Sequence, residues 1–262
     1  MATGRTLDRW TAVYVGGTAV EALTQSVGPL VTQFNAAPMQ ALSDGVQGGF
    51  NTHPNITPTT INAIIDSNAL GSDYFTGSSF VGASRVVTIA QGIRGTVAAG
   101  DPIFTGTWYQ DTASADLGMD TSAFNVNFGD YDVNSMIDYR NPWGNLLHAS
   151  AAATGANTSG TGVQSLTEAA TTYGGYMVYH VFAGNGTATI TVEHSTEEVN
   201  GSYAALDGCT SGEIDFSTPT SGIVETAART TTVNEYTRWQ ISLNGATTVT
   251  FVLGFVRMYS AW

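Results

Sequence analysis

Apolar and polar residues alternate most clearly in the C-terminal stretch of the chain. The alternation covers Trp239 to Leu243 and resumes after Asn244–Ala246, where it continues from Val249 to Phe255. A two-residue period is typical of strands with one buried face, so this stretch predicts a β-hairpin. Apolar residues must oppose apolar residues across such a pair. That condition favours a three-residue loop with Gly245 in the left-handed region over a two-residue Asn-Gly turn.

Shorter runs of the same kind occur in both halves of the chain. Most are bounded by Gly, Asn or Asp-Pro, which end strands and form turns. Gly184–Gly186 predicts a turn that joins two of these runs into a hairpin. The predicted strands are Thr11–Val15, Arg85–Ala90, Ile103–Tyr109, Ala123–Phe128, Gly174–Ala183 and Thr187–His194.

A helical pattern follows Thr57. Thr57 suits the N-cap and Pro58 the first helical position. The isoleucines from Ile61 to Ile65 lie on one face at helical spacing, and Gly71 follows the pattern. The sequence therefore predicts a helix over Thr59–Leu70 that packs on a sheet.

Composition changes abruptly near the middle of the chain. Residues 149–164 are almost entirely Ala, Ser, Thr, Gly and Asn, so they bring too few apolar side chains for a core of their own. We therefore predict an N-terminal β domain over residues 1–150, a linker over 151–165 and a C-terminal β-sandwich over 166–262. A length of 262 residues suffices for one large or two small domains.

Charge excludes one class of partner. The formal net charge is -13, and all eight cations are arginines. Binding to nucleic acid through phosphate contacts needs clustered Lys and Arg, so a basic nucleic-acid surface is not expected. No segment approaches the roughly 20 apolar residues of a membrane span, and no membrane partner is expected. The single cysteine, Cys209, allows no disulfide within this sequence.

Candidate metal ligands are sparse. Asp130, Asp132 and Asn134 have the alternate spacing of a calcium loop, but they lack its central glycine and its distal glutamate. His180 and His194 lie on the two strands of one predicted hairpin without a third ligand at a suitable spacing. We predict no metal or cofactor site, and ion binding at Asp130 remains open.

Residues that commonly carry catalysis do not form a recognisable set. Glu197 and Glu198 fit a charged strand end better than an acid–base pair, which must face one cleft. The sequence contains no Gly-x-Ser-x-Gly elbow, and Gly184-x-Gly186 is not followed by a helical pattern. We predict no catalytic residues, and we expect a structural or binding protein more than an enzyme.

Several short segments follow one another in a characteristic order along the chain. They are Val27–Leu30, Ala41–Gly48, Ile61–Asp66, Gly100–Pro102, Trp143–Gly144, Leu147–Ala149, Gly174–Gly175, His180–Val181, Glu193–Ser195, Tyr236–Trp239, Thr250–Phe251 and Phe255–Arg257. This ordered set resembles the major tail tube proteins of long non-contractile-tailed (siphovirus-type) bacteriophages, and the resemblance extends over nearly the whole chain.

This resemblance implies a fold, a function and partners. The fold is mainly β, with tandem β-sandwich tube domains, one flanking helix, and sheets that join between subunits into a barrel. Subunits form stacked rings, as trimers of two-domain chains or as hexamers if residues 166–262 are an outer domain. The implied partners are further copies of the chain, the tape measure protein, and the tail terminator and tail tip proteins. The resemblance also implies that DNA passes through an acidic lumen without specific binding. The location is the virion tail, assembled in the host cytoplasm.

Two other classes remain open. A capsid decoration protein or another head protein would bind a preformed shell. A carbohydrate-binding β-sandwich would stack sugars on aromatic side chains, for which Trp10, Trp108 and Trp143 are the candidates.

Overall fold

The chain is mainly β with antiparallel sheets, and its contacts group into two units. The computed structural model describes residues 11–20, 24–28, 30, 32–39, 48–56, 60–64, 82–93, 95–117, 122–131 and 141–260. Both units are discontinuous in sequence. Unit 1 comprises residues 1–24, 85–107 and 134–262, and unit 2 comprises residues 25–84 and 108–133.

The described strands include every strand named from the alternation pattern. A 3-10 turn at Asn200–Ser202 interrupts them. The strands are β1 (Thr11–Val15), β2 (Thr18–Ala19), β3 (Thr24–Val27), β4 (Thr32–Met39), β5 (Gly48–Ile56), β6 (Thr60–Ile64), β7 (Ser84–Gln91), β8 (Pro102–Leu117), β9 (Ser122–Tyr131), β10 (Trp143–Thr154), β11 (Asn157–Ser159), β12 (Val163–Gln164), β13 (Gly175–Gly184), β14 (Thr187–Ser195), β15 (Ala204–Asp215), β16 (Thr220–Glu225), β17 (Tyr236–Asn244) and β18 (Thr248–Arg257).

The larger sheet of unit 1, sheet 1, curls around an apolar interior. Its strand order is β16-β13-β18-β10-β8-β7-β1-β2, with β8 contributing its first residues. The turn between β1 and β2 reaches back to β13, where the Gly17 N–H donates to His180 Nδ1 over 3.3 Å. The two ends of sheet 1 therefore approach each other. The interior contains Ala12, Tyr14, Ala90, Ile103, Leu146, Val178 and Val252.

A smaller sheet, sheet 2, packs on the other face of sheet 1 to complete a sandwich. Its order is β11-β17-β14-β15, and β12 also pairs with β17. Alternate residues of each strand point into the space between the sheets, as the two-residue period requires. The core between the sheets includes Leu147, Met177, Val181, Ile190, Val192, Leu206, Phe216, Trp239, Ile241, Val249, Phe251, Leu253 and Phe255.

The predicted C-terminal hairpin is wrong, although its buried face is right. β17 pairs with β14 in sheet 2, whereas β18 pairs with β10 and β13 in sheet 1. Trp239 and Phe251 meet across the core, with ring centroids 5.5 Å apart. The connection is an arch between sheets, because alternation marks a buried face without showing whether the next strand lies beside it or opposite it. Gly245 is left-handed as predicted, with φ 87°.

The predicted hairpin at Gly184–Gly186 is a second arch of the same kind. β13 belongs to sheet 1 and β14 to sheet 2. The two arches touch: Asn185 Oδ1 accepts from the Thr247 N–H at 3.1 Å, and Thr187 Oγ1 donates to the Asn244 carbonyl at 2.9 Å. One end of the sandwich is therefore closed by two stacked arches.

Unit 2 shows a strand where a helix was predicted. It contains the pair β4–β5 and the order β3-β6-β9-β8. β6 covers Thr60–Ile64 and pairs with β9, with Ile61 opposite Val126 and 1% exposed. The β-branched residues of this stretch favour a strand once a neighbouring strand is available. The helix prediction is thus wrong over β6, and the rest of its range, residues 59 and 65–70, lies outside the described part of the chain.

The predicted linker also differs from the structure. Residues 151–165 contain the end of β10 together with β11 and β12. β11 and β12 both pair with β17, so the segment contributes to the sheets of unit 1. Its small polar residues reflect exposure: of β11, Asn157 is exposed and the other two residues are half-buried. The division into domains at 1–150 and 166–262 stays a prediction.

Candidate functional site

A chain of buried hydrogen bonds joins four strands or turns of unit 1 at His180. His180 lies on β13 and is fully buried. Its Nε2 lies 2.8 Å from Thr88 Oγ1 on β7, and Thr88 Oγ1 lies 2.8 Å from Thr105 Oγ1 on β8. The chain ends where the Thr105 hydroxyl donates to the Val87 carbonyl at 2.9 Å.

The donor and the acceptor in each hydrogen bond of this network follow from the groups at its two ends. Because the Thr105 hydroxyl donates to a carbonyl, it accepts from the Thr88 hydroxyl. Thr88 in turn accepts from His180 Nε2–H, and His180 Nδ1 accepts from the Gly17 N–H. His180 is therefore neutral with the proton on Nε2, and burial lowers its pKa to about 3. Each group is satisfied, so the network fixes the closure of sheet 1.

The stability of unit 1 should fall with acid because of His180. An unfolded histidine has its pKa at 6.5, whereas folded His180 titrates at about 3. The unfolded chain therefore binds this proton first, and the stability present above pH 6.5 is lost progressively below it. We expect a loss of about 2 kcal/mol between pH 7 and pH 5 from this group. Urea unfolding at several pH values measures it.

His180→Gln is the matched variant, because a glutamine amide can replace one acceptor and one donor without titrating. Its stability should depend less on pH than that of the wild type over the same interval. Burial also lowers the pKa of His148 and His194. Because both residues are present in the wild type and in the variant, their contribution to the pH dependence of stability is the same in each. Identical pH profiles for variant and wild type would contradict the assignment.

A second buried polar group lies on the outer face of sheet 2. Glu193 and Arg238 are opposite each other on β14 and β17, and their Oε2 and Nε atoms are 2.6 Å apart. Arg238 also donates to Asn200 Oδ1 at 2.6 Å and lies 4.0 Å from the ring centroid of Tyr203. Each side chain of the pair is 9% exposed. The pair therefore anchors the segment of Asn200 and Tyr203 to the sheet.

Arg257 holds a loop at the end of β18. Its guanidinium donates to the carbonyls of Val233, Asn234 and Glu235 at 2.7, 2.5 and 3.3 Å. The residue is 5% exposed, and burial lowers its pKa to about 10. A guanidinium suits this role because its fixed fork of donors can reach several carbonyls at once.

An apolar groove opens beside Arg257. Its volume is about 500 Å³. Trp143 is 37% exposed and Leu166 is 81% exposed, so its walls are apolar and accessible. The described residues that line it are Ile93, Gly100, Pro102, Asn141, Trp143, Gly144, Asn145, Leu166, Arg257 and Tyr259. Such a groove can bind an apolar side chain of a partner.

The histidines do not form a metal site in the described structure. His180 and His194 lie in different sheets, and His194 Nδ1 accepts from the Asn234 N–H at 3.1 Å. His148 Nδ1 lies 3.0 Å from the Phe251 carbonyl, and its ring stacks on that of Phe251 at 4.1 Å. Among the described residues, no three His, Cys, Asp or Glu side chains are close enough together to hold a metal ion.

The other sequence candidates fall in different places. Asp132 and Asn134 lie outside the described residues, and of Asp130 only the backbone in β9 is described. Glu197 and Glu198 are exposed at the end of β14, as the sequence suggested. Trp108 is 3% exposed, so it cannot stack a sugar, whereas Trp143 reaches the groove. In the described part of the chain, no helix is long and apolar enough to cross a membrane.

Sequence reasoning missed the groove and the buried polar contacts of His180, of the Glu193–Arg238 pair and of Arg257. The pattern placed Arg238 on the polar face of its strand, but it gave no sign that Asn200 and Tyr203 cover it. In the sequence, Gly16-Gly17 indicates only that the strand Thr11–Val15 ends there. No local signal could pair it with His180, which is 163 positions away.

Comparisons with known proteins give distant likenesses. Neither a protein-family model nor a curated protein matches the chain. Among solved structures, the SPP1 Dit protein, described as a paradigm of the hub adsorption apparatus in phages infecting Gram-positive bacteria, has 13% identity and a TM-score of 0.36, and the match covers 95% of this chain and 99% of that one. A chain of the phage P2 baseplate in its activated conformation with Ca has 8% identity and a TM-score of 0.37, with 95% and 98% covered. TM-scores this low do not establish a shared fold, so function is argued from the chain's own residues.

Proposed function

We propose that this chain is a structural subunit of a bacteriophage tail, and that it assembles with copies of itself into the stacked rings of a tail tube. The observation that carries the proposal is the ordered resemblance to tail tube proteins, together with the mainly β architecture in which its segments lie. Tyr236–Trp239 lies on β17, Thr250–Phe251 on β18 and Glu193–Ser195 on β14. These strands build the core of unit 1.

The buried polar chemistry supports a structural role. His180 joins β7, β13 and the turn after β1, the Glu193–Arg238 pair anchors a covering segment, and Arg257 holds a loop. Each of these titratable groups forms hydrogen bonds with another part of the protein, and each therefore stabilises the fold. A subunit that bears load in an assembly benefits from such cross-links between strands.

The remaining features of the proposal concern assembly. Three chains complete a ring if each contributes two tube domains, and six do so if residues 166–262 form an outer domain. Neighbouring subunits close their sheets into a barrel, which removes exposed sheet edges. The net charge of -13 suits a lumen that holds the tape measure protein and conducts DNA without binding it. The tail terminator and tail tip proteins contact the two ends of the tube.

Negative-stain electron microscopy of the purified, concentrated protein tests the proposal. We expect hollow tubes or stacked rings, and their rotational symmetry distinguishes trimers from hexamers. Single rings that never stack would instead indicate a hub, the role described for SPP1 Dit. If the protein forms no tubes and binds only to preformed capsids, it is a capsid decoration protein and the proposed tail function is wrong.

A further inference from the structure

The groove beside Arg257 differs in charge from the rest of this acidic protein. The sequence has 21 acidic residues, yet no described residue that lines the groove carries a carboxylate. Its charged lining residue is Arg257, which donates to three loop carbonyls and also interacts electrostatically with Glu235 and Tyr259. Ile93, Trp143 and Leu166 supply exposed apolar walls. The groove therefore suits an apolar side chain that is accompanied by negative charge.

A loop of the same unit has the complementary chemistry. Val199 is 57% exposed and directly follows Glu197 and Glu198, which are exposed as well. Val199 is among the few large apolar side chains that the described structure leaves exposed, and it does not line the groove. Val199 can therefore fill an apolar groove while the two adjacent carboxylates face its positive charge.

The loop is held in one shape before any partner binds. The Ser195 hydroxyl lies 2.7 Å from the Ser202 hydroxyl, which in turn lies 2.7 Å from the Val199 carbonyl. Ser195 Oγ also accepts from the Glu197 N–H at 3.1 Å. Because these bonds fix the loop backbone, little conformational entropy remains to be lost on docking.

We propose that the loop Glu197–Val199 of one copy docks in the groove of a second copy, with Val199 between Trp143 and Leu166 and its carboxylates toward Arg257. The contact joins two different surfaces of the same chain. It is therefore head-to-tail and continues from copy to copy, into a ring if the rotation closes and into a filament if it does not. The inference rests on the self-assembly in the proposed function and names a contact through which it occurs.

Two variants remove one surface each. Leu166→Asp places a carboxylate in the groove wall, where it repels the incoming loop, and its 81% exposure makes it tolerable for folding. Glu197→Gln/Glu198→Gln/Val199→Ser removes the charge and the apolar anchor of the loop. By sedimentation velocity, each variant alone should self-associate at least about tenfold more weakly than the wild type.

Mixing the two variants gives the sharper test. The intact loop of one variant fits the intact groove of the other, so an equal mixture should form dimers and nothing larger. Thr218→Asp, which is exposed in the loop between β15 and β16 and does not line the groove, and Asp207→Asn/Glu213→Gln, with the same change of charge as the loop variant, are the controls and should assemble like the wild type.

The outcomes separate this contact from the tail function. If both variants form tubes as readily as the wild type, the contact is wrong and the tail function stands. If the mixture stays monomeric or the wild type never self-associates, the contact is wrong too, and assembly on purified tail tips then decides the tail function. Dimers in the mixture, with globular wild-type oligomers instead of tubes, support the contact and count against the tube.

Discussion

Replacing Gly17 by alanine should lower the free energy of unfolding of unit 1 by about 4 kcal/mol. Gly17 has φ 83°, a backbone conformation that costs an alanine about 1–2 kcal/mol. A Cβ at this position also lies 2.5 Å from Thr220 N and 2.7 Å from Thr220 O, so the turn must move away from β16. That movement breaks the bond from the Gly17 N–H to His180. Urea unfolding followed by tryptophan fluorescence measures the loss.

Gly245→Ala is the matched control. Gly245 has φ 87°, close to that of Gly17, but a Cβ there meets no atom within 4 Å. Its substitution should cost only the backbone term of about 1–2 kcal/mol. The difference between the two variants then isolates the close approach of the turn to Thr220. Equal losses would show that sheet 1 does not need this closure.

Glu193→Gln should destabilise unit 1 by about 3 kcal/mol, because it leaves the Arg238 charge buried without its carboxylate. The Nε–Oε2 distance is 2.6 Å, and each side chain is 9% exposed, so water compensates little. The remaining partners of Arg238, Asn200 and Tyr203, offer no opposite charge. Chemical unfolding of the variant at pH 7 provides the measurement.

Glu213→Gln makes the same chemical change at an exposed site. Glu213 Oε1 lies 2.5 Å from the Thr187 hydroxyl, and a glutamine amide at this position can still form a hydrogen bond with that hydroxyl. Its stability should lie within about 0.5 kcal/mol of the wild type. A similar loss in both variants would mean that general charge, and not the buried pair, determines the effect.

Local pattern predicted which residues are buried better than it predicted which strands pair. Val249, Phe251 and Leu253 are all buried, as their period requires. The same period fits a hairpin and an arch equally well, so β17 and β18 were placed side by side when they face each other. Loop chemistry did not resolve this, because Gly245 adopts the predicted left-handed conformation in an arch.

The candidate sites depend on contacts that no local pattern contains. His180 reaches Thr88 across 92 positions, and Glu193 reaches Arg238 across 45. The isoleucines Ile61 and Ile64 show the opposite problem, because they fit a helical pattern but lie on β6, which pairs with β9. In both cases tertiary neighbours decided the outcome, and such neighbours are visible only after the chain has folded.

The position of β18 has a consequence for how the protein is made. This strand lies between β10 and β13, so the middle of sheet 1 is missing until Thr248–Arg257 has left the ribosome. His148 and Phe251, which stack in the finished core, are 103 positions apart. Closing such long loops is slow. A nascent chain therefore has no finished sandwich to offer a neighbour, and unit 1 becomes competent for assembly only after Thr248–Arg257 has emerged.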